Sequence, residues 1–129
     1  KNVGHSGFYV IDAINGRPLG SIPGPIIVDS SREDTITILG WAVDERAQTV
    51  AGGVVISIDG GLSIPALYGL DRPDVAARFK NDGYRYSGFM ASFGSRQIGR
   101  GEHNISLKIL TRDRAGYYEP NRLVTIRIE

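Results

Sequence analysis

The chain reads as an all-β sandwich of about seven antiparallel strands with one short helical insert. Three observations lead there. Short runs rich in β-branched and aromatic residues alternate apolar and polar positions with a period of two. Glycine is abundant and scattered, 17 of 129 residues, which suits many tight turns rather than a flexible linker. One stretch only, Asp71 to Phe79, carries helix-start chemistry. The length fits a single domain, 1–129, able to bury a core without covalent staples. The chain opens at Lys1 with neither methionine nor a signal-peptide pattern, so it is read as excised from a larger protein.

The elements follow in order. Phe8 to Ile14 is a strand closing in an Asn15-Gly16 turn. Arg17 to Pro25 holds Pro18, Pro23 and Pro25 with Gly20 and Gly24, and forms neither helix nor central strand. Ile26 to Val28 is a brief extended piece, and Asp29 to Asp34 a solvated turn. Thr35 to Asp44 alternates, first through Ile36 and Ile38, then with the opposite parity through Leu39, Trp41 and Val43. Gly40 at the change predicts a bulge or twist, and Trp41 is expected in the core. Gly53 to Asp59 places Val54, Ile56 and Ile58 inward and ends in the hairpin signal Asp59-Gly60-Gly61. Leu62 to Tyr68 returns, with Pro65 marking an edge position or a bulge.

The insert then begins. Asp71 suits an N-cap, Pro73 the first turn, and Asp74 the positive end of the helix dipole. Val75, Ala76 and Phe79 share one face and are expected to plug an open end of the sandwich. Asn81-Asp82-Gly83 ends the helix. Tyr84 to Phe93 is expected to be strand, with Phe89, Ala91 and Phe93 inward. Glu102 to Thr111 directs Ile105, Leu107 and Ile109 inward. Arg112 to Pro120 is a loop, and Leu123 to Ile128 is the last strand.

Composition removes several classes of function. Fifteen basic residues against 14 acidic ones, without blocks of one sign, leave no footprint for nucleic acid. The local arginines Arg112 and Arg114 alternate with Asp113. There is no cysteine, hence no disulfide and no thiolate metal site. No apolar run reaches the length of a membrane-spanning helix, so this segment is expected not to insert.

The set Gly40-Trp41-Ala42-Val43-Asp44, Ile58-Asp59-Gly60, Tyr68-Gly69, Arg72-Pro73-Asp74-Val75-Ala76, Ser87-Gly88-Phe89 and Gly101-Glu102-His103 resembles an Ig-like β-sandwich module of bacterial surface and envelope proteins. Such modules are appended to membrane glycosyltransferases and related glycan-handling proteins. Asn15-Gly16-Arg17-Pro18-Leu19 and Gly116-Tyr117-Tyr118-Glu119-Pro120 extend the resemblance over nearly the whole chain. It implies an extracytoplasmic, periplasmic or cell-surface accessory domain, and it transfers no catalytic residue.

Residues that carry chemistry are sparse. His5 and His103 are the only histidines, and no Gly-x-Ser-x-Gly elbow accompanies them. Asp71 and Asp74 are close enough to suggest an acid pair but suit helix capping better. Asp29, Glu33, Asp34 and Asp59 offer oxygens for calcium, yet no calcium-loop pattern is present. The sequon Asn104-Ile105-Ser106 falls within a strand. Tyr68, Tyr84, Tyr86, Tyr117 and Tyr118 could form a platform for sugar rings, or could pack at the core edge with their hydroxyls on backbone groups. Arg72 could take an anion at the helix start, or pin the insert to the sandwich.

The expectation is therefore a non-catalytic accessory or interaction module of a larger, membrane-anchored envelope protein, without cofactor or metal. Its partners would be other domains of the same chain or envelope proteins. The second reading is a carbohydrate-binding module using Tyr68, Arg72, Tyr84, Tyr86, Tyr117 and Tyr118. An enzyme is the third.

Overall fold

A computed structural model of the chain describes residues 7–19, 24–120 and 123–129. His5, Gly20 and Pro23 lie outside the described residues. In chain order the strands are β1 (Gly7–Ile14), β2 (Arg17–Pro18), β3 (Ile26–Val28), β4 (Thr35–Asp44), β5 (Thr49–Val50), β6 (Gly53–Ile58), β7 (Leu62–Pro65) and β8 (Leu67–Leu70). Helix α1 (Pro73–Phe79) and a 3₁₀ turn (Asp82–Tyr84) lead to β9 (Gly88–Gly94). Helix α2 (Ser95–Ile98) precedes β10 (Gly101–Leu110), β11 (Tyr117–Tyr118) and β12 (Val124–Ile128).

These strands form two six-stranded sheets. The first runs β2-β1-β4-β9-β8, with β5 on the end of β4. The second runs β3-β12-β10-β6-β7, with β11 on β10. Neighbours pair antiparallel except β3, which lies parallel to β12. The chain is thus all-β with two layers, as expected, but its strand segments are more and shorter than seven, and a second helix, α2, joins the sheets.

The main core fills the space between the layers. Ile36, Ile38, Phe89, Ala91 and Phe93 from the first sheet meet Val54, Ile56, Ile58, Ile105, Leu107, Ile109, Ile126 and Ile128 from the second. The period-two pattern predicted these inward faces because an antiparallel sheet facing water on one side must alternate. Asn15 and Gly16 adopt φ of 50° and 77°, the positive values a two-residue hairpin needs. Pro65 ends β7, an edge strand, where its missing N–H is harmless.

Several expectations are corrected. Parity does not change at Gly40. Ile36, Ile38 and Ala42 all face the main core, while Leu39, Trp41 and Val43 all face outward. Gly40 is required for packing: a Cβ there would sit 2.2 Å from the Val10 carbonyl oxygen and 2.8 Å from the Phe89 ring. The bulge lies opposite, in β1, between Ile11 and Ala13. It explains why Ile11 and Ile14, three apart, are both buried in the same core. Leu62 to Tyr68 is not one strand. It breaks at Ala66, so that β7 pairs in the second sheet and β8 in the first. Tyr84 belongs to the 3₁₀ turn, and the strand after it starts only at Gly88.

The insert also differs. Its N-cap residue is Arg72, without a side-chain cap, while Asp71 turns away to hold Arg85 at 2.8 and 3.1 Å. Helix α1 covers the outer face of the first sheet rather than an open end. There Trp41, Val43, Val75 and Tyr84 form a second, smaller core, with Phe8 and Val10 against it. Phe79 remains 41% exposed, with its ring 5.6 Å from that of Trp41 and 5.7 Å from that of Tyr84. Trp41 is buried, as expected, but in this outer cluster.

Candidate functional site

Arg72 is an internal joint. Its Nη1 donates to Asp12 Oδ2 at 2.7 Å, and its Nε and Nη2 donate to the two oxygens of Asp74 at 2.9 Å. Asp12 stands at the β1 bulge, so the guanidinium ties the start of α1 to the first sheet. The bond to Asp74, with that to Asp12, holds the Arg72 pKa above its usual value, and Arg72 in turn lowers that of Asp74. Two carboxylates already occupy the fork that an external anion would need.

The tyrosines do not gather into one platform. Tyr84 is buried beneath α1. Tyr118 is buried, and its hydroxyl donates to Asp44 Oδ1 at 2.9 Å. Asp44 itself is buried and also accepts from the backbone N–H of Ala47 and Arg112, so it fastens the ends of both sheets. Tyr117 lies under the Lys108 ammonium, 5.2 Å from the ring centre. Tyr68 donates to the Ala42 carbonyl at 2.6 Å and accepts from the Ala51 N–H at 2.9 Å. Burial pushes its hydroxyl up to about 12. Tyr86 is 53% exposed, with the Arg85 guanidinium over its ring.

Two of the six predicted ligand residues, Tyr68 and Tyr86, share a cleft. The cleft holds about 470 Å³ and is bordered as well by Arg112 and Arg114 from the turn after β10.

His103 is bound at both ring nitrogens. Nδ1 lies 2.6 Å from Asp59 Oδ2 and Nε2 lies 2.8 Å from the Gly99 carbonyl. Both partners are acceptors, so the ring serves them best as the doubly protonated imidazolium. Burial pulls the His103 pKa down, but these hydrogen bonds more than offset it and the net shift is upward. No nucleophile is paired with this ring. Among the described residues, no group of three or more His, Asp or Glu side chains is placed to hold a metal ion. Three of the four carboxylates named for calcium have protein partners: Asp29 accepts from Ser31, Glu33 from Asn15, Arg17 and the Asp29 N–H, and Asp59 meets His103 and the Asn104 N–H.

The two outer faces differ in character. On the second sheet, Glu102 pairs Arg127 at 2.8 Å, Asn104 accepts from Thr125, and Ser106 and Lys108 follow at the next outward-facing positions of β10, with Ile27 beside Arg127 and Val55 beside Lys108. On the first sheet, Leu39, Met90 and Leu67 stand side by side across β4, β9 and β8, at 40%, 37% and 57% exposure. Ala13 of β1 continues the row. On one side it meets the cluster under α1, on the other the hydroxyl pair Thr37–Ser92. This row was not anticipated. Its signal was present in the alternation, since Leu39 and Met90 fall at outward-facing positions where water normally selects polar residues.

A comparison with known protein families finds no matching family, and a search of curated proteins finds no match.

Proposed function

We propose that this chain is a non-catalytic, Ig-like interaction module of an extracytoplasmic envelope protein, working through the outer face of its first sheet. The observation that carries the reading is the contiguous apolar row Ala13-Leu39-Met90-Leu67, where the outer face of the other sheet intersperses Ile27 and Val55 with polar and charged side chains. Contiguous apolar surface rimmed by polar groups marks a contact site, because exposing it to water is unfavourable. The Ig-like assignment is supported by strand order. Lettered in the immunoglobulin manner, β1-β4-β9-β8 gives A-B-E-D, and β3-β12-β10-β6-β7 gives A′-G-F-C-C′. The envelope setting and a membrane anchor elsewhere in the protein rest on the motif resemblance, and the partner is another domain of the same chain or an envelope protein.

The test uses the full-length protein in its own cells. A photo-crosslinking residue placed at Met90 or Leu67 should yield a discrete adduct, while the same residue at Thr125 or Lys108 should yield none. The charged variants Leu39→Lys and Leu67→Lys should keep the melting temperature and remove the adduct. Equal crosslinking from both faces, or none from either, would refute the reading. A membrane-impermeant maleimide reporting on Thr125→Cys in intact cells checks the compartment, on a domain with no cysteine of its own.

A further inference from the structure

We propose that the cleft between β8 and the turn after β10 binds a carboxylate-bearing sugar. This surface is separate from the apolar row and adds a ligand to the module reading above. The cleft volume, about 470 Å³, lies within the span of small-ligand sites, roughly 300–1,000 Å³. Arg112 and Arg114 border it, and no carboxylate of the described residues does, in a chain whose charges nearly cancel. No salt bridge engages either guanidinium among the described residues. Arg114 Nε donates to the Gly52 carbonyl at 3.0 Å, which orients the fork without neutralising it.

The turn that carries both arginines is held from several sides. The Arg112 N–H donates to the buried Asp44 at 3.0 Å, and Asp113 accepts from Thr111 and from the Ala115 N–H. Arg114 adopts a φ of 62°, a left-handed conformation that glycine or asparagine would hold with less strain. Gly52 allows the close approach: a Cβ there would lie 2.3 Å from the Thr111 carbonyl oxygen and 2.7 Å from Arg114 Cγ.

The aromatic wall is equally prepared. Arg85 lies 5.3 Å from the centre of the Tyr86 ring and is itself fixed by a two-point bond to Asp71. Tyr86 is thus braced yet 53% exposed at the rim. Tyr68 lines the cleft with its ring packed against the main core and its hydroxyl satisfied twice by backbone groups, so it forms a fixed floor beside Tyr86. A ring packs against the C–H face of a pyranose, and a guanidinium fork matches a carboxylate. A neutral sugar would use the rings alone and an inorganic anion the arginines alone. A sugar acid uses both.

The experiment is a backbone-amide NMR titration of the chain with tetragalacturonate, with neutral galactotetraose and tetraglutamate as parallel arms. Tetragalacturonate should shift the amides of Gly52, Gly69, Tyr86 and Arg114, and added salt should weaken the effect. Arg112→Ala and Tyr86→Ala should each reduce affinity about tenfold, as expected for losing a charge-assisted or aromatic contact. Both positions are exposed, so melting temperatures should be unchanged. Absence of shifts with tetragalacturonate, affinity untouched in both variants, or equal binding of tetraglutamate or galactotetraose would overturn the proposal. None of these residues belongs to the Leu39-Met90-Leu67 row, so failure here and failure of the interaction reading are separate results.

Discussion

His103 shows how a single residue carries conditional stability. It joins the Asp59 turn after β6 to Gly99 at the end of α2, in the connection that leads into β10. Its folded pKa is raised, so its contribution is fully present below the unfolded value of about 6.5 and is lost as pH rises through the folded value. Asp59 has a lowered pKa, chiefly through the His103 bond, so its contribution is present above the unfolded value of about 3.9 and is lost as pH falls through its folded value. The latch is therefore tightest between those two unfolded values. Melting temperatures measured from about pH 6 to about pH 9 should decline for the wild type relative to His103→Gln, whose profile lacks this component. Parallel profiles would show that the latch does not report on folding. The neighbours could be read from the sequence only in part. His103 was placed correctly near the start of a strand, but its partner Asp59 lies 44 positions away and its other partner is a backbone carbonyl. Neither contact leaves a local pattern.

At the scale of elements, the insert earns its place by covering the outer face of the first sheet. Trp41 sits between the Phe8 ring at 5.5 Å and the Phe79 ring at 5.6 Å, and Val75 closes over the same cluster. Trp41→Ala should cost about 3–5 kcal/mol, as for a buried aromatic. Phe79→Ala should cost less, about 1–2 kcal/mol, because its ring is partly in water and the loss is mainly of edge contacts. Arg72→Ala should cost about 1 kcal/mol, since Asp12 and Asp74 are left facing each other but remain accessible to solvent. Urea titrations of the three variants check the ranking; an Arg72→Ala variant as stable as the wild type would remove the joint. Sequence periodicity located the insert and its apolar face, because i, i+3 and i+4 spacing is a local property. It did not say which surface that face covers. The bulge at Asp12 was not read from the sequence, whereas Gly40, where the opposite parity of Leu39, Trp41 and Val43 suggested a bulge, owes its identity to the close approach of the Val10 carbonyl and the Phe89 ring, 30 and 49 positions away.

For the whole molecule, the inward faces of β6, β9, β10 and β12 and of the first half of β4 followed from alternation, and the two-layer all-β class followed from them. Sheet membership did not. The change of sheet at Ala66 separates β7 from β8 by one residue; Pro65 just before it signals an edge or a bulge but not a change of sheet. The candidate surfaces were harder still, since the Leu39-Met90-Leu67 row is created by register between strands distant in sequence. Its central residue offers a direct measurement. Met90 is the single methionine of the chain and is 37% exposed. Oxidation to the sulfoxide adds one oxygen, is read by peptide mass, and tracks solvent access. The isolated chain and the full-length protein in intact cells should be treated with the same dose of peroxide. The interaction reading predicts ready oxidation of Met90 in the isolated chain and strong protection in the cellular protein, released by Leu67→Lys. Equal oxidation in both settings would contradict it.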